Sequence, residues 1–318
     1  MRFNENADLD TSSIDDLRGG GRGGGGGGAL GGRVAAGGGG LGIIGLILYF
    51  LISQLGGGSL GGGGGGFDLP SGLSGLSSGQ TADTSQVAQA CRTGADANNQ
   101  LDCEVVAVVN SLDGYWSDAF ARSGQTYQAP RTNFFSGGVN TACGSASSAT
   151  GPFYCPGDNE VYIDLSFFQE LETTFGAQGG TFARAYVIAH EYGHHIQALL
   201  GTNSRVQAGD VGPTSGSVRL ELQADCYAGV WANHATTVPT SSGEPLIVDV
   251  TQDDVAAALD TAARIGDDYI QTQLGGGQVD ESQFSHGNSR QREGWYTTGY
   301  ETGDPSQCDT FARGVDLG

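Results

Sequence analysis

Glycine dominates residues 19–66, and this tract decides where a folded body can lie in the chain. Glycine loses more conformational freedom on ordering than any other residue and brings no apolar side chain to bury. Sequence of this kind cannot offset its own ordering entropy, so the first third of the 318 residues is read as non-globular. Residues 1–17 are polar and are expected to be disordered with it. Foldable sequence begins near Gln80 or Val87 and runs close to the end. That leaves about 230 residues, enough for one well-buried core.

An apolar run interrupts the glycines. Residues 41–55 read LGIIGLILYFLISQL, with only Ser53 and Gln54 polar. A bilayer span needs about 20 residues. Extension back through Val34, Ala35 and Ala36 supplies that length without a charge. No small-x-small cleavage site follows promptly, so a membrane anchor is expected rather than a removed signal. Arg18, Arg22 and Arg33 precede the run, and no positive residue follows it before Arg92. The positive-inside rule then places the N-terminus in the cytoplasm and the rest on the far side, periplasmic or extracellular. The expected organisation is a disordered cytoplasmic stretch over 1–40 and an anchor core over 41–55, within a span of about 35–56. A Gly/Ser-rich stalk over 57–86 and a catalytic domain over 87–316 follow.

The net charge is -21, and every positive side chain is an arginine. Phosphate contacts need lysine and arginine, so nucleic acid is excluded as a partner. The six cysteines, Cys91, Cys103, Cys143, Cys155, Cys226 and Cys308, all follow the apolar run. An even count on an exported side points to disulfides. Several connectivities are possible; the economical one joins neighbours, Cys91 with Cys103, Cys143 with Cys155, and Cys226 with Cys308. No C-x-x-C pair occurs to make a cysteine zinc site.

Within the domain, the spacing of Leu101, Val105, Val106, Val109, Leu112 and Trp116 is helical. The short β-rich runs 152–155 and 160–165 flank Pro156-Gly157-Asp158-Asn159, which reads as the turn of a hairpin. A short helix over 166–175 follows, with Ser166 as its N-cap. Helices are then expected over 181–200, 217–235 and 252–273, with an aromatic, turn-rich tail from Phe284. The reading is α+β: mainly helices, with a small sheet ahead of the helix that begins at Thr181.

That helix carries His190-Glu191-Tyr192-Gly193-His194, an H-E-x-x-H sequence. Histidines four apart share a helix face and can reach one ion. A catalytic zinc site keeps one position open for water, and the adjacent glutamate can take that water's proton. The flanks Val187-Ile188-Ala189 and Ile196 are apolar, as a buried helix requires. Glu221 on the next helix supplies a third ligand. Asp225, one turn on, can accept a hydrogen bond from the second nitrogen of a ligand histidine. The metzincin arrangement requires a glycine at position 197 and a histidine at position 200, whereas this chain has Gln197 and Leu200. A histidine or tyrosine commonly faces the oxyanion in such sites; His286, Tyr227, Tyr296 and Tyr300 are the candidates. Arg292 is open to two readings, a clamp on a substrate carboxylate or a structural ion pair. His195 points about 100° from His194 around the helix and is read as packed, and His234 as a helix-end residue.

AHEYGHHIQ (189–197), ELQADCYAGVWA (221–232), ACGSASSATGPFYCP (142–156), EVYIDLSFF (160–168) and FSHGNSRQREGW (284–295) together resemble the bacterial neutral zinc metallopeptidases. The similarity covers nearly all of the chain after the stalk, and the MRF start, glycine tract and apolar run also look like that family. The resemblance implies a zincin-like, membrane-anchored peptidase. In it one Zn2+ is held by His190, His194 and Glu221, with Glu191 as the base and a peptide or protein as substrate. The rival readings are a non-catalytic envelope interaction protein with a structural or vestigial zinc site, and hydrolysis of another amide such as a cell-wall crosslink.

Overall fold

The computed structural model describes residues 1–18, 84–207, 209–239 and 243–318. It is a mixed α+β body in which a four-stranded sheet lies against a set of packed helices. Strands β1 (Arg2–Phe3) and β2 (Ile14–Asp16) come from the extreme N-terminal segment. Helix α1 (Leu101–Arg122) buries Val105, Val106, Val109, Leu112 and Trp116, the apolar spacing seen in the sequence. The hairpin β4 (Gly138–Thr141) and β5 (Gly144–Ser147) sits between β3 (Arg131–Phe135) and β6 (Phe153–Cys155). β6 pairs antiparallel with β7 (Glu160–Asp164) across the turn that the sequence marks, where Asn159 adopts φ 61°. The sheet order is β2-β3-β7-β6, with β2, β3 and β7 parallel.

Helix α2 (Phe167–Thr173) follows. Then come α3 (Thr181–Leu199), which carries the H-E-x-x-H residues, and α4 (Gly216–His234), which carries Glu221 and Asp225. Helix α5 (Gln252–Arg264) and the short strand β8 (Ile247–Asp249) complete the middle of the chain. The tail, read from the sequence as aromatic and turn-rich, holds a further helix, α6 (Ser289–Thr302). A capping box between Asn288 and Gln291 starts it, and its buried face includes Arg292, Trp295 and Tyr296. Helices α4 and α6 cross at very short range. A Cβ on Gly229 would lie 2.1 Å from the Tyr296 carbonyl oxygen, and one on Gly299 would lie 2.0 Å from that of Cys226. Only glycine fits either position, and the close crossing lays Arg292 beside Asp225. Disulfides join Cys91 to Cys103, Cys143 to Cys155 and Cys226 to Cys308. The last ties α4, one residue after Asp225, to the C-terminal tail.

Two expectations require correction. Residues 1–17 are not disordered. β1 pairs with β8, β2 pairs with β3, and Phe3, Ala7 and Ile14 are buried in the main core. Two asparagines clamp the backbone of this strap in both directions. Asn98 accepts from Phe3 N and donates to Phe3 O, both at 3.0 Å. Asn110 accepts from Asp10 N at 2.8 Å and donates to Asp10 O at 2.7 Å. Gly94 leaves room for the strap to pass, since a Cβ there would lie 2.0 Å from Asn4 O.

The single-pass membrane anchor is likewise overturned, and with it the membrane as a partner and the cytoplasmic N-terminus. Among the described residues no helix is long and apolar enough to cross a membrane. The 41–55 run and the stalk before residue 84 lie outside the described residues. The expected topology also fails on pairing, because a strand left on the cytoplasmic side could not join a sheet on the other. Arg18, counted above as a topogenic charge, is instead an ion-pair residue, 2.8 Å from Asp16 and 2.6 Å from Asp102.

Candidate metal centre

Helix α3 is buried on almost every side, so the polar groups of H-E-x-x-H need partners inside the protein. Gly193 brings those partners close. A Cβ at this position would lie 2.8 Å from Ala224 Cα and 2.9 Å from Ala224 O, so α3 and α4 touch backbone to backbone here. His190, about one turn before the contact, and His194, immediately after it, face Glu221. His190 Nε2 lies 3.1 Å from Glu221 Oε2, and His194 Nε2 lies 3.5 Å from Glu221 Oε1. One donor atom from each of His190, His194 and Glu221 falls within 4.8 Å of the others. Gly193→Ala is expected to push the helices apart, cost about 1–3 kcal/mol of stability and weaken metal binding. A thermal melt and a chelator-competition titration test this; unchanged values in both would remove the role assigned to Gly193.

The outer nitrogens of both imidazoles are engaged, which leaves both Nε2 atoms directed at the centre. His190 Nδ1 lies 2.7 Å from Asp225 Oδ1. His194 Nδ1 lies 3.0 Å from Gln197 Oε1, and Gln197 Nε2 donates to Leu220 O at 2.6 Å. The second bond fixes the amide orientation, so His194 Nδ1 is the donor. Asp225 is fully buried and shared. Arg292 reaches it from Nε at 2.9 Å and from Nη2 at 3.0 Å, and the Tyr186 hydroxyl donates to it at 2.7 Å. Of the two readings of Arg292, the structure shows the ion pair.

Burial opposes ionisation of Asp225, but Arg292 and His190 outweigh it and hold the carboxyl below its ordinary value. Burial also opposes charge on His190, yet Asp225 and Glu221 raise its pKa to about 10. Glu221 is likewise penalised by burial, but His194, His286 and His190 hold it well below the carboxylate range. The cluster therefore favours positive charge at its centre. Two imidazole Nε2 atoms and one carboxylate could hold a metal ion, and they match the donor types that zinc takes, with each histidine oriented by a hydrogen bond on its other nitrogen. The residues fit the ion.

Glu191 is buried in the wall of the same cleft. Burial raises its pKa, while His190 and His194 pull the other way. The cleft has a volume of about 460 Å3 and is bordered by the edge strand β6 through Phe153 and Tyr154. His286 also lines it. Asp267 accepts from the backbone N–H of Ser285 and His286 at 2.7 Å and of Gly287 at 3.0 Å, and His286 Nδ1 lies 3.2 Å from its other oxygen. Burial works against charge on His286, but Glu221 and Asp267 raise its pKa.

The remaining candidates lie elsewhere. Tyr227 packs edge-on against Trp116, and Tyr296 meets Tyr186 edge-on and stacks on Tyr300; none borders the cleft. His195 turns away to the Gln128 carbonyl at 2.7 Å, and burial lowers its pKa. His234 meets the Gly303 carbonyl at 2.9 Å. The sequence reading missed Gln197 and Tyr186 as supports of the histidines. Their signal was spacing, three residues after His194 and four before His190 on a buried helix.

The family model described as "Putative neutral zinc metallopeptidase" matches residues 1–311. The uncharacterized protein Rv2575 of Mycobacterium tuberculosis strain H37Rv is 51% identical over 229 residues, covering 72% of this chain and 76% of that protein. The uncharacterized protein YpfJ of Escherichia coli strain K12 is 39% identical over 248 residues, covering 76% of this chain and 82% of that protein. No solved structure matches the chain.

Proposed function

The chain belongs to the neutral zinc metallopeptidase family, and on that premise we propose that it hydrolyses peptide bonds in the cleft bordered by α3, α4 and β6, with Glu191 as the base. The observation that carries this reading is the convergence of His190, His194 and Glu221 within 4.8 Å, with Glu191 in the same wall. One zinc ion bound there would acidify a water and polarise a carbonyl. His190, His194 and Glu221 hold the ion; Asp225 and Gln197 keep the two imidazoles turned towards it. Glu191, raised by burial, suits a group that takes a proton and later returns it to the leaving amine. His286, fixed from behind by Asp267, can stabilise negative charge on the substrate oxygen. The H-E-x-x-H helix packs by a sheet edge and the third proposed ligand comes from the next helix, an arrangement that supports a zincin-like reading of the α+β fold.

Elemental analysis and turnover of a peptide library, with and without chelator, test the proposal. About one zinc per chain is expected, together with turnover that a chelator removes and zinc restores. Zinc at that ratio without turnover would sink the peptidase reading and support a non-catalytic zinc protein instead. The buried Glu191 speaks against that alternative, since a structural zinc site has no use for a base.

A further inference from the structure

The two ends of the cleft differ in chemistry. Val187 lies one turn before His190 on α3, whereas Asn203 and Ser204 follow the C-terminal end of that helix. Val187 and the end of α3 are about 18 Å apart along the helix axis at 1.5 Å per residue. With Val187, the cleft lining includes Phe167, Phe175, Ile265 and Ile270, and the charged side chain beside them is Arg292, whose Nη1 donates to Ile265 O at 3.2 Å. Around the far end the lining is made of Asn203, Ser204 and Ser217.

The apolar end is a built structure rather than loose surface. Phe167 and Phe175 meet edge to face with centroids 6.2 Å apart. Gly151, at φ 74°, lies under the Phe167 ring, where a Cβ would come within 3.0 Å of it. The Tyr269 hydroxyl donates to Phe175 O at 2.9 Å, which ties the Phe175 segment to the chain that carries Ile265 and Ile270. The cationic group nearest the centre, Arg292, is already held by Asp225 through two bonds.

We propose that this end is a specificity pocket for a bulky apolar side chain beside the scissile bond, so that the substrates are peptides with leucine, methionine or phenylalanine at one flanking position. The proposal rests on the peptidase reading and adds its substrate class. An acidic side chain is disfavoured there by the apolar wall, because Arg292 is already paired with Asp225. The polar end sets no comparable demand for apolar bulk.

The test uses the full chain as the zinc-loaded Glu191→Gln protein, titrated with the hydroxamates of N-acetylated glycine, aspartate, leucine and phenylalanine. The common hydroxamate head engages the metal, so differences in affinity report the side chain. Leucine and phenylalanine are expected to bind about tenfold or more tighter than glycine, and aspartate weaker than glycine. Phe167→Ala, at a half-buried position, and Ile270→Ala should each narrow that gap, while Asn203→Ala should leave it. Equal affinities across the four compounds, or a gap that survives both apolar substitutions, overturn the pocket. Library turnover by the wild-type protein separates this from the parent reading. Turnover without the affinity gap loses the pocket alone, and the gap without turnover loses the peptidase alone.

Discussion

Glu191→Gln is expected to lower peptide hydrolysis by about 10²–10⁴-fold while zinc content stays at the wild-type level. The two halves of that result follow from different features of the site. Glu191 is not among the three residues whose donor atoms converge, so its carboxylate is not needed to hold the ion. It stands in the cleft wall, where burial raises its pKa and makes proton capture less unfavourable than for an exposed carboxylate. Glutamine keeps the shape and removes the proton acceptor. Turnover measured beside elemental analysis checks both halves. An undiminished rate would remove Glu191 as the base. Loss of zinc together with activity would make it a ligand and redraw the site.

The helices that hold the centre were legible because their chemistry is local. H-E-x-x-H needs one helical face, the apolar flanks of α3 reveal its burial, and Glu221 and Asp225 repeat the same four-residue spacing on the next helix. The β6–β7 hairpin was legible for a similar reason, since its turn residues stand in one short run. Helix α6 escaped because Gly294 and Gly299 dilute its helical pattern, although the capping box at Asn288 and Gln291 marks its start. The burial of Arg292 against Asp225 depends on the Gly229 and Gly299 crossing, a contact between residues far apart in sequence. No periodicity records such a contact. The apolar run over 41–55 misled in the opposite way. Its apolar length and the lack of a cleavage site after it point to an anchor, but the charges that orient it include Arg18, whose partners are carboxylates of the folded body.

Loss of the N-terminal strap is expected to destabilise the whole protein, although the glycine tract separates it from the rest of the chain. β1 and β2 span only two and three residues, too short to show an alternating pattern, yet Phe3 and Ile14 are among the most buried side chains. Burying side chains of this size contributes about 1.5–3 kcal/mol each, so these two alone account for about 3–6 kcal/mol. That is a large part of the roughly 5–15 kcal/mol by which a domain is stable. Ile14→Asp places an unpaired carboxylate where the side chain is inaccessible to water, and it should lower the melting midpoint by about 8 °C or more. Deleting residues 1–18 should do at least as much, and a synthetic peptide of those residues should recover part of the loss. The effect extends to the cleft. Ile14 pairs with Thr132 in the sheet, and the Thr132 hydroxyl lies 3.1 Å from that of Tyr192, which sits between Glu191 and His194 on α3. The strap therefore supports the strand that buttresses the helix of the candidate metal centre, and zinc affinity should fall with the melting midpoint. An Ile14→Asp protein that melts with the wild type would show that the strap only rests on the domain.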